Sequence, residues 1–128
     1  MREKFLAAAR RDDIAAVSIA SRPDCFGPEV IDMIKDIIAV KPVWIELGLQ
    51  TANDRTAQLI NRCYDISVYD ETMNRLRELG VHIIVHMIIG LPGETKEDMI
   101  DTVRYIVRSG ANGINSSKLL HVLRGNCS

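Results

Sequence analysis

No stretch of the 128-residue sequence approaches the run of about 20 apolar residues that a membrane-spanning helix needs. Residues 1–11 are charged and Ala-rich, without the apolar core of a signal peptide. Both absences count against a membrane partner and make the cytoplasm the expected location. An excess of charge is lacking too. Sixteen basic against 17 acidic residues leave a formal net charge of −1, so no global field draws the chain to nucleic acid or anionic lipid. Cysteine is sparse: Cys25, Cys63 and Cys127 are odd in number, far apart and outside C-x-x-C or other metal-ligand spacing. They are expected as reduced, unlinked thiols. Phosphate loops of the G-x-x-x-x-G-K-[ST] and G-x-G-x-x-G kinds are missing, as are the H-E-x-x-H zinc helix and the G-x-S-x-G nucleophile elbow. His82 and His86 have no third ligand beside them, and His121 does not supply zinc spacing.

What is present is the balance of an ordinary globular chain, 47% hydrophobic and 26% charged. Its length suits one compact domain over residues 1–128. Residues 12–21 (DDIAAVSIAS) read as a short buried strand, and Arg22-Pro23-Asp24 as a loop. Pro28 suits a first helical turn, followed by Val30, Ile31, Ile34, Ile37 and Ile38 at helical spacing. Residues 43–49 (VWIELGL) form a second strand, and Asn53 or Asp54 can cap a helix through Ile60. A further helix is expected over residues 67–79, opened by a Ser67-x-x-Asp70 box and closed by Gly80. Residues 81–89 (VHIIVHMII) are a third strand, apolar almost throughout as when both faces are covered. Gly90-Leu91-Pro92-Gly93 turns the chain, and Thr95 caps a helix to about Ser109, ended by Gly110. Residues 119–123 are expected as a weaker fourth strand.

Strands alternating with helices imply a parallel α/β sheet, open or closed as a barrel. Four strands cannot close an eight-stranded (β/α) barrel, which takes about 200 residues or more. The expectation is therefore a partial TIM-like barrel, and the abrupt first and last residues agree with a piece of something larger.

Period-2 alternation puts Trp44, Glu46, Gly48 and Gln50 on one face of the second strand, with Val43, Ile45, Leu47 and Leu49 on the other. The apolar face packs under helices, so Glu46, Gly48 and Gln50 turn to the interior near a strand C-terminus, where parallel sheets bind ligands. In the third strand His82, Ile84, His86, Ile88 and Gly90 share a face, with Ile83, Val85, Met87 and Ile89 opposite. Glu46 and His86 can equally be satisfied core residues. Arg55, Arg75 and Arg77 read as solvated helix positions, with Arg62 the exception.

Three segments together resemble the radical S-adenosylmethionine (SAM) superfamily: IELGLQT at residues 45–51, LINR at 59–62 and HMIIGLPGET at 86–95. Their order and position at successive strand ends are similar to the fourth and fifth strands of that barrel, and residues 17–122 to its third to sixth. The resemblance is closest to a bacterial branch of unassigned substrate, related to oxygen-independent coproporphyrinogen oxidases and the elongator-type catalytic subunit. It implies that Gln50 hydrogen-bonds the methionine or ribose part of SAM, and that Arg62, twelve residues on, reaches the SAM carboxylate. It implies a ribose contact for His86, an adenine surface from Ile88, Gly90 and Leu91, and a pocket edge at Ser21 and Arg22, with Glu46 inside.

Such proteins bind a [4Fe–4S] cluster through a C-x-x-x-C-x-x-C loop. That loop is absent here, as is the Gly-Gly-Glu-type segment of the second barrel strand, and Cys25 and Cys63 are not spaced to substitute. Residues 115–117 (NSS) also depart from the family's apolar strand. The resemblance thus implies a fragment, itself inactive, of an enzyme that reductively cleaves SAM to a 5′-deoxyadenosyl radical. Its partners are SAM and the remainder of the barrel, with tRNA offered only by family analogy. The rival readings are a non-enzymatic α/β interaction module that kept the scaffold, and a small complete enzyme using SAM or another nucleotide without a cluster.

Overall fold

In the computed structural model, which describes residues 2–118, helix α1 (Arg2–Ala9) precedes strand β1 (Val17–Ser21). A 3-10 turn (Pro23–Cys25) leads to α2 (Pro28–Ile38), then β2 (Val43–Gln50), α3 (Asp54–Leu59) and α4 (Ile66–Glu78). Strand β3 (His82–Ile89), α5 (Lys96–Arg108) and β4 (Gly113–Lys118) complete the described chain. The four strands lie in the order β1-β2-β3-β4, every pairing parallel. This is the partial barrel sheet expected from the alternation of elements.

The two faces of the sheet divide as the period-2 pattern requires. Val43, Ile45, Leu47 and Leu49 of β2 are buried, as are Ile83, Val85 and Met87 of β3. They meet Met33, Ile34 and Ile37 of α2, Tyr69, Met73 and Leu76 of α4 and Ile106 of α5 in one core. Each such aliphatic side chain contributes about 1.5–3 kcal/mol on burial. The opposite face is open: Trp44 is 48% exposed, and its indole leans on His82 of β3, ring centroids 5.4 Å apart. Alternation fails at the end of β3, where Ile88 is buried and Ile89 is 39% exposed. Ile89 lines an apolar groove with Met99, Val103 and Ile114, between β3, β4 and α5.

Local signals explain the boundaries, with three corrections. Strand β1 starts at Val17, not at residue 12, because Asp12 and Asp13 stay in solvent and Arg11 ties itself to Asp13 in a bidentate pair. Helix α4 is capped by Asp65, whose carboxylate accepts from Ser67 N at 3.0 Å. Asp70 instead accepts from Tyr105 Oη at 2.5 Å, so no Ser67–Asp70 box forms. Strand β4 occupies residues 113–118 and takes in Asn115, Ser116 and Ser117. Asn112 sets that register: its backbone N–H donates to Ile83 O and its Oδ1 accepts from Ile83 N, both at 2.8 Å. The strand expected at residues 119–123 lies outside the described residues. A reciprocal box stands instead at α5, where Thr95 and Asp98 each bond the other's backbone N–H.

Among the described residues no helix is long and apolar enough to cross a membrane. Cys25 is a free thiol as expected, whereas Cys63 is disulfide-bonded, which corrects the expectation of three unlinked thiols. Cys127 and His121 lie outside the described residues.

Candidate cofactor-binding site

At the C-terminal end of the sheet, on its open face, Ala20, Ser21, Arg22, Glu46, Gly48 and His86 line a cavity of about 350 Å³. Parallel register produces this gathering. Ala20 pairs with Glu46 and Gly48 with His86, so side chains from three neighbouring strands rise together. His86 Nε2 stands 3.6 Å from Glu46 Oε1, each side chain about one-third exposed at 35% and 34%. Four of the residues singled out in sequence, Ser21, Arg22, Glu46 and His86, therefore share one wall.

Gln50 closes β2 in an unusual conformation. Its φ is +68°, a left-handed value that costs a non-glycine residue about 1 kcal/mol or more, and the β2–β3 register slips between Gly48 and Gln50. The bulge turns Gln50 back over the strand. The carbonyls of Leu49 and Gly48 beside the carboxamide assign its nitrogen, not its oxygen, to the strand side, where it donates to Leu49 O at 2.8 Å and to Gly48 O at 3.1 Å, leaving Oε1 as an acceptor. A Cβ at position 48 would fall 2.9 Å from this carboxamide, which is the local reason for glycine there.

Arg62 is only 5% exposed and spends every donor on the protein. Nε and Nη2 donate to Tyr64 O at 3.1 and 3.0 Å, and Nη2 also reaches Asp54 Oδ1 at 3.1 Å. Nη1 donates to Thr51 O at 2.6 Å and Leu49 O at 3.4 Å. A guanidinium has five N–H bonds, so a ligand carboxylate can be met by Arg62 only if one of these is released. Arg22 pairs with Asp24 through Nε and Nη2 at 3.1 and 2.9 Å, and Nη2 also donates to Arg62 O at 3.0 Å. Ile88 and Leu91 are buried, and Gly90 is exposed with φ +86°. A Cβ at Gly90 would meet nothing within 4 Å, so the positive φ is what favours glycine there.

Sequence reasoning passed over three residues that hold these loops. Thr51 is fully buried and donates to Glu94 Oε2 at 2.5 Å, tying the β2 loop to the turn after β3. Thr102 of α5 accepts from Ala52 N at 3.1 Å beside it. Tyr64 donates its hydroxyl to Gly48 O at 2.7 Å, and its ring lies 4.5 Å from the Arg62 guanidinium and 5.6 Å from that of Arg22. The signal for Tyr64 in the sequence is slight, a single aromatic two positions after Arg62.

Burial pushes the Tyr64 phenol up to about 12, against the opposing pull of Arg62, so it remains a donor throughout the neutral range. Tyr69 is likewise raised to about 12 by burial. A phenol whose folded pKa lies above its unfolded value of 10.0 contributes stability that is intact below pH 10 and lost as pH rises toward 12. The expected result is a fall in urea-unfolding free energy across that window, with a shallower slope in Tyr64→Phe. Equal slopes would contradict the buried phenol.

This is the class of a parallel (β/α) sheet with its polar groups at the strand C-termini. The chain belongs to the radical SAM superfamily, whose family model matches residues 1–106. It is 41% identical over 125 residues to the uncharacterized protein YtqA of Bacillus subtilis, covering 98% of this chain and 38% of that protein. It is 35% identical over 128 residues to protein YhcC of Escherichia coli K12, covering 98% and 40%. The chain thus spans about two-fifths of the curated relatives it matches. Among solved structures, coproporphyrinogen III oxidase (HemN) from Escherichia coli, a radical SAM enzyme, superposes with TM-score 0.72 at 22% identity over 83% of this chain and 24% of its own. The archaeal Elp3 of Methanocaldococcus infernus gives 0.72 at 19% over 83% and 25%. TsrM from Kitasatospora setae, with cobalamin and a [4Fe–4S] cluster bound, gives 0.71 at 16% over 91% and 24%. These three likenesses establish the fold.

The residues present do not fit an iron–sulfur cluster. Among the described residues no three His, Cys, Asp or Glu side chains stand where they could hold a metal ion, and Cys25 and Cys63 offer one free thiol and one disulfide sulfur. Glu46, Gly48 and His86 line the cavity beside Ser21 and Arg22, whereas Gln50, Arg62, Ile88, Gly90 and Leu91 are not among its lining residues.

Proposed function

We propose that this chain is the SAM-facing portion, about strands three to six, of a radical SAM barrel, and that it provides ligand contacts without cluster ligands. One observation carries the reading: on a sheet of this family, the parallel register brings Ser21, Arg22, Glu46, Gly48 and His86 around one cavity at the strand C-termini. In the complete enzyme, SAM held here would supply the radical chemistry of the family, hydrogen abstraction from substrate, on one-electron reduction by an iron–sulfur cluster held elsewhere in the barrel.

The geometry supports the following roles for this chain's residues. Gln50 Oε1 accepts from a ribose hydroxyl, and Gly48 leaves the space that the Gln50 carboxamide occupies. His86 and Glu46 stand 3.6 Å apart and face the same sugar. Ile88, Gly90 and Leu91 shape the side on which the base lies, Leu91 from beneath because it is buried. Ser21 and Arg22 bound the far edge. Arg62 holds the loop after β2 and meets the carboxylate of methionine on releasing a carbonyl. The remainder of the barrel is the structural partner: in the described sheet β1 pairs only with β2 and β4 only with β3, and each outer edge is a template for another strand. Without that remainder the chain binds but does not turn over. A tRNA substrate rests on family analogy alone and is not included.

Equilibrium dialysis of the chain against SAM tests this directly. Saturable binding in the millimolar range or tighter, weakened by Gln50→Ala, is expected. No binding at millimolar SAM would remove the reading and favour the non-enzymatic module.

A further inference from the structure

We infer that Tyr64 is a positioning residue of the ligand site, which aims the Gln50 carboxamide by sharing the Gly48 carbonyl with it. The inference rests on the proposed adenosyl ligand for its purpose, though not for its geometry. Gly48 O has two lone pairs. One receives the Tyr64 hydroxyl at 2.7 Å, and the other receives the Gln50 carboxamide at 3.1 Å when its nitrogen is assigned to the strand side, the orientation that the two carbonyls beside it require. With that carbonyl held from the side of the loop, the left-handed Gln50, φ +68°, keeps its nitrogen on the strand and its Oε1 turned outward. An amide free to rotate presents either atom, and a ribose hydroxyl can no longer rely on an acceptor.

Tyr64 also joins the two arginines of the site. Its backbone oxygen accepts from Arg62 Nε and Nη2, its ring lies against both guanidinium groups, and Arg22 in turn donates to Arg62 O. A cation over an aromatic face is attracted by the ring quadrupole, so the phenol ring sets the spacing between Arg22 on the loop after β1 and Arg62 on the loop after α3. Burial keeps the phenol protonated, with its pKa raised to about 12, and the hydroxyl never turns from donor to phenolate in the neutral range. The two loops that carry Arg22 and Arg62 and the end of β2 at Gln50 are thereby coupled through one side chain that does not itself line the cavity of Glu46 and His86.

The test uses the 128-residue chain labelled with nitrogen-15, as wild type and as Tyr64→Phe, which keeps the ring and removes only the hydroxyl. In the wild type the Gln50 side-chain amide protons are expected as two well-separated, slowly exchanging resonances. In Tyr64→Phe they move toward the positions of a free carboxamide, and exchange of the Thr51 amide, which donates to Leu49 O at 2.9 Å, rises about fivefold, as the loss of one hydrogen bond predicts. SAM binding measured by dialysis weakens by a similar factor. Gly48→Ala, which displaces the same carboxamide from the strand side, reproduces the Gln50 shift with Tyr64 intact. Free-carboxamide resonances already in the wild type, or unchanged Gln50 and Thr51 signals in Tyr64→Phe, would overturn the inference, the first without relying on any variant. If the signals change as expected but the wild type binds no SAM, the positioning of Gln50 stands and the proposed function falls.

Discussion

Replacing Arg62 by Ala is expected to cost about 3 kcal/mol of folding stability. The side chain is almost entirely buried, and its removal leaves the carbonyls of Leu49, Thr51 and Tyr64 without their charged donor. A buried acceptor stripped of its partner costs about 1–3 kcal/mol, and part of that is recovered when water enters the space. Arg62→Lys recovers only a fraction, because an ammonium carries three donors on a single atom and cannot reproduce a planar fork that reaches carbonyls on two segments. Urea unfolding monitored by circular dichroism measures both. A loss below about 1 kcal/mol for Arg62→Ala would mean that the guanidinium is not clamped, and would return it to the ligand as a freely available cation.

The second large effect separates the two faces of one strand. Leu47→Ala is expected to cost about 2–5 kcal/mol, through lost transfer energy and the cavity left in the core, since Leu47 is fully buried beneath the helices. Glu46→Ala, one residue away on the open face, is expected to change stability by no more than about 0.5 kcal/mol, because the carboxylate lies partly in solvent and makes only a 3.6 Å contact with His86. On the proposed function, its effect is expected in SAM binding instead. Comparable losses at both positions would show that the open face is packed in solution, by a second copy or by another chain.

How much of this was legible beforehand follows from the kind of signal each element carries. Strands β2 and β3 declare themselves because a sheet with one face under helices forces an apolar residue at every second position, and the outcome is visible in Val43, Ile45, Leu47 and Leu49. Strand β4 could not be read that way. It is the last strand of the described sheet, Asn115 and Ser117 stand opposite His86 and Ile88 on the open face, and its register is set by Asn112, a residue outside the strand. Helix α4 shows the other difficulty: Asp65 and Ser67 both have capping chemistry, and only the path of the preceding loop decides between them. In the candidate site, Glu46 and His86 were accessible from strand periodicity alone. Tyr64 and the Thr51–Glu94 bond were not, because each joins residues whose proximity is created by the sheet and cannot be counted along the chain.

The shape of the sheet bears on what the chain does. A β/α barrel closes so that no strand edge remains, whereas here the described sheet ends at β1 on one side and β4 on the other. The groove of Met87, Ile89, Met99, Val103 and Ile114 and the exposed Trp44 are apolar surface left open among the described residues. A chain that spans 38–40% of its curated relatives is therefore expected to gain stability from association with the rest of such a barrel, while its polar groups at the strand ends need no new partner to stay assembled.

The most direct test of the central claim is anaerobic reconstitution of the chain with iron and sulfide, followed by assay of bound iron and of 5′-deoxyadenosine released from SAM, beside a longer radical SAM protein that carries the three-cysteine loop. The account predicts a cluster and 5′-deoxyadenosine for the longer protein, and neither for this chain, even though SAM binds. A stoichiometric [4Fe–4S] cluster on this chain, with release of 5′-deoxyadenosine, would contradict it.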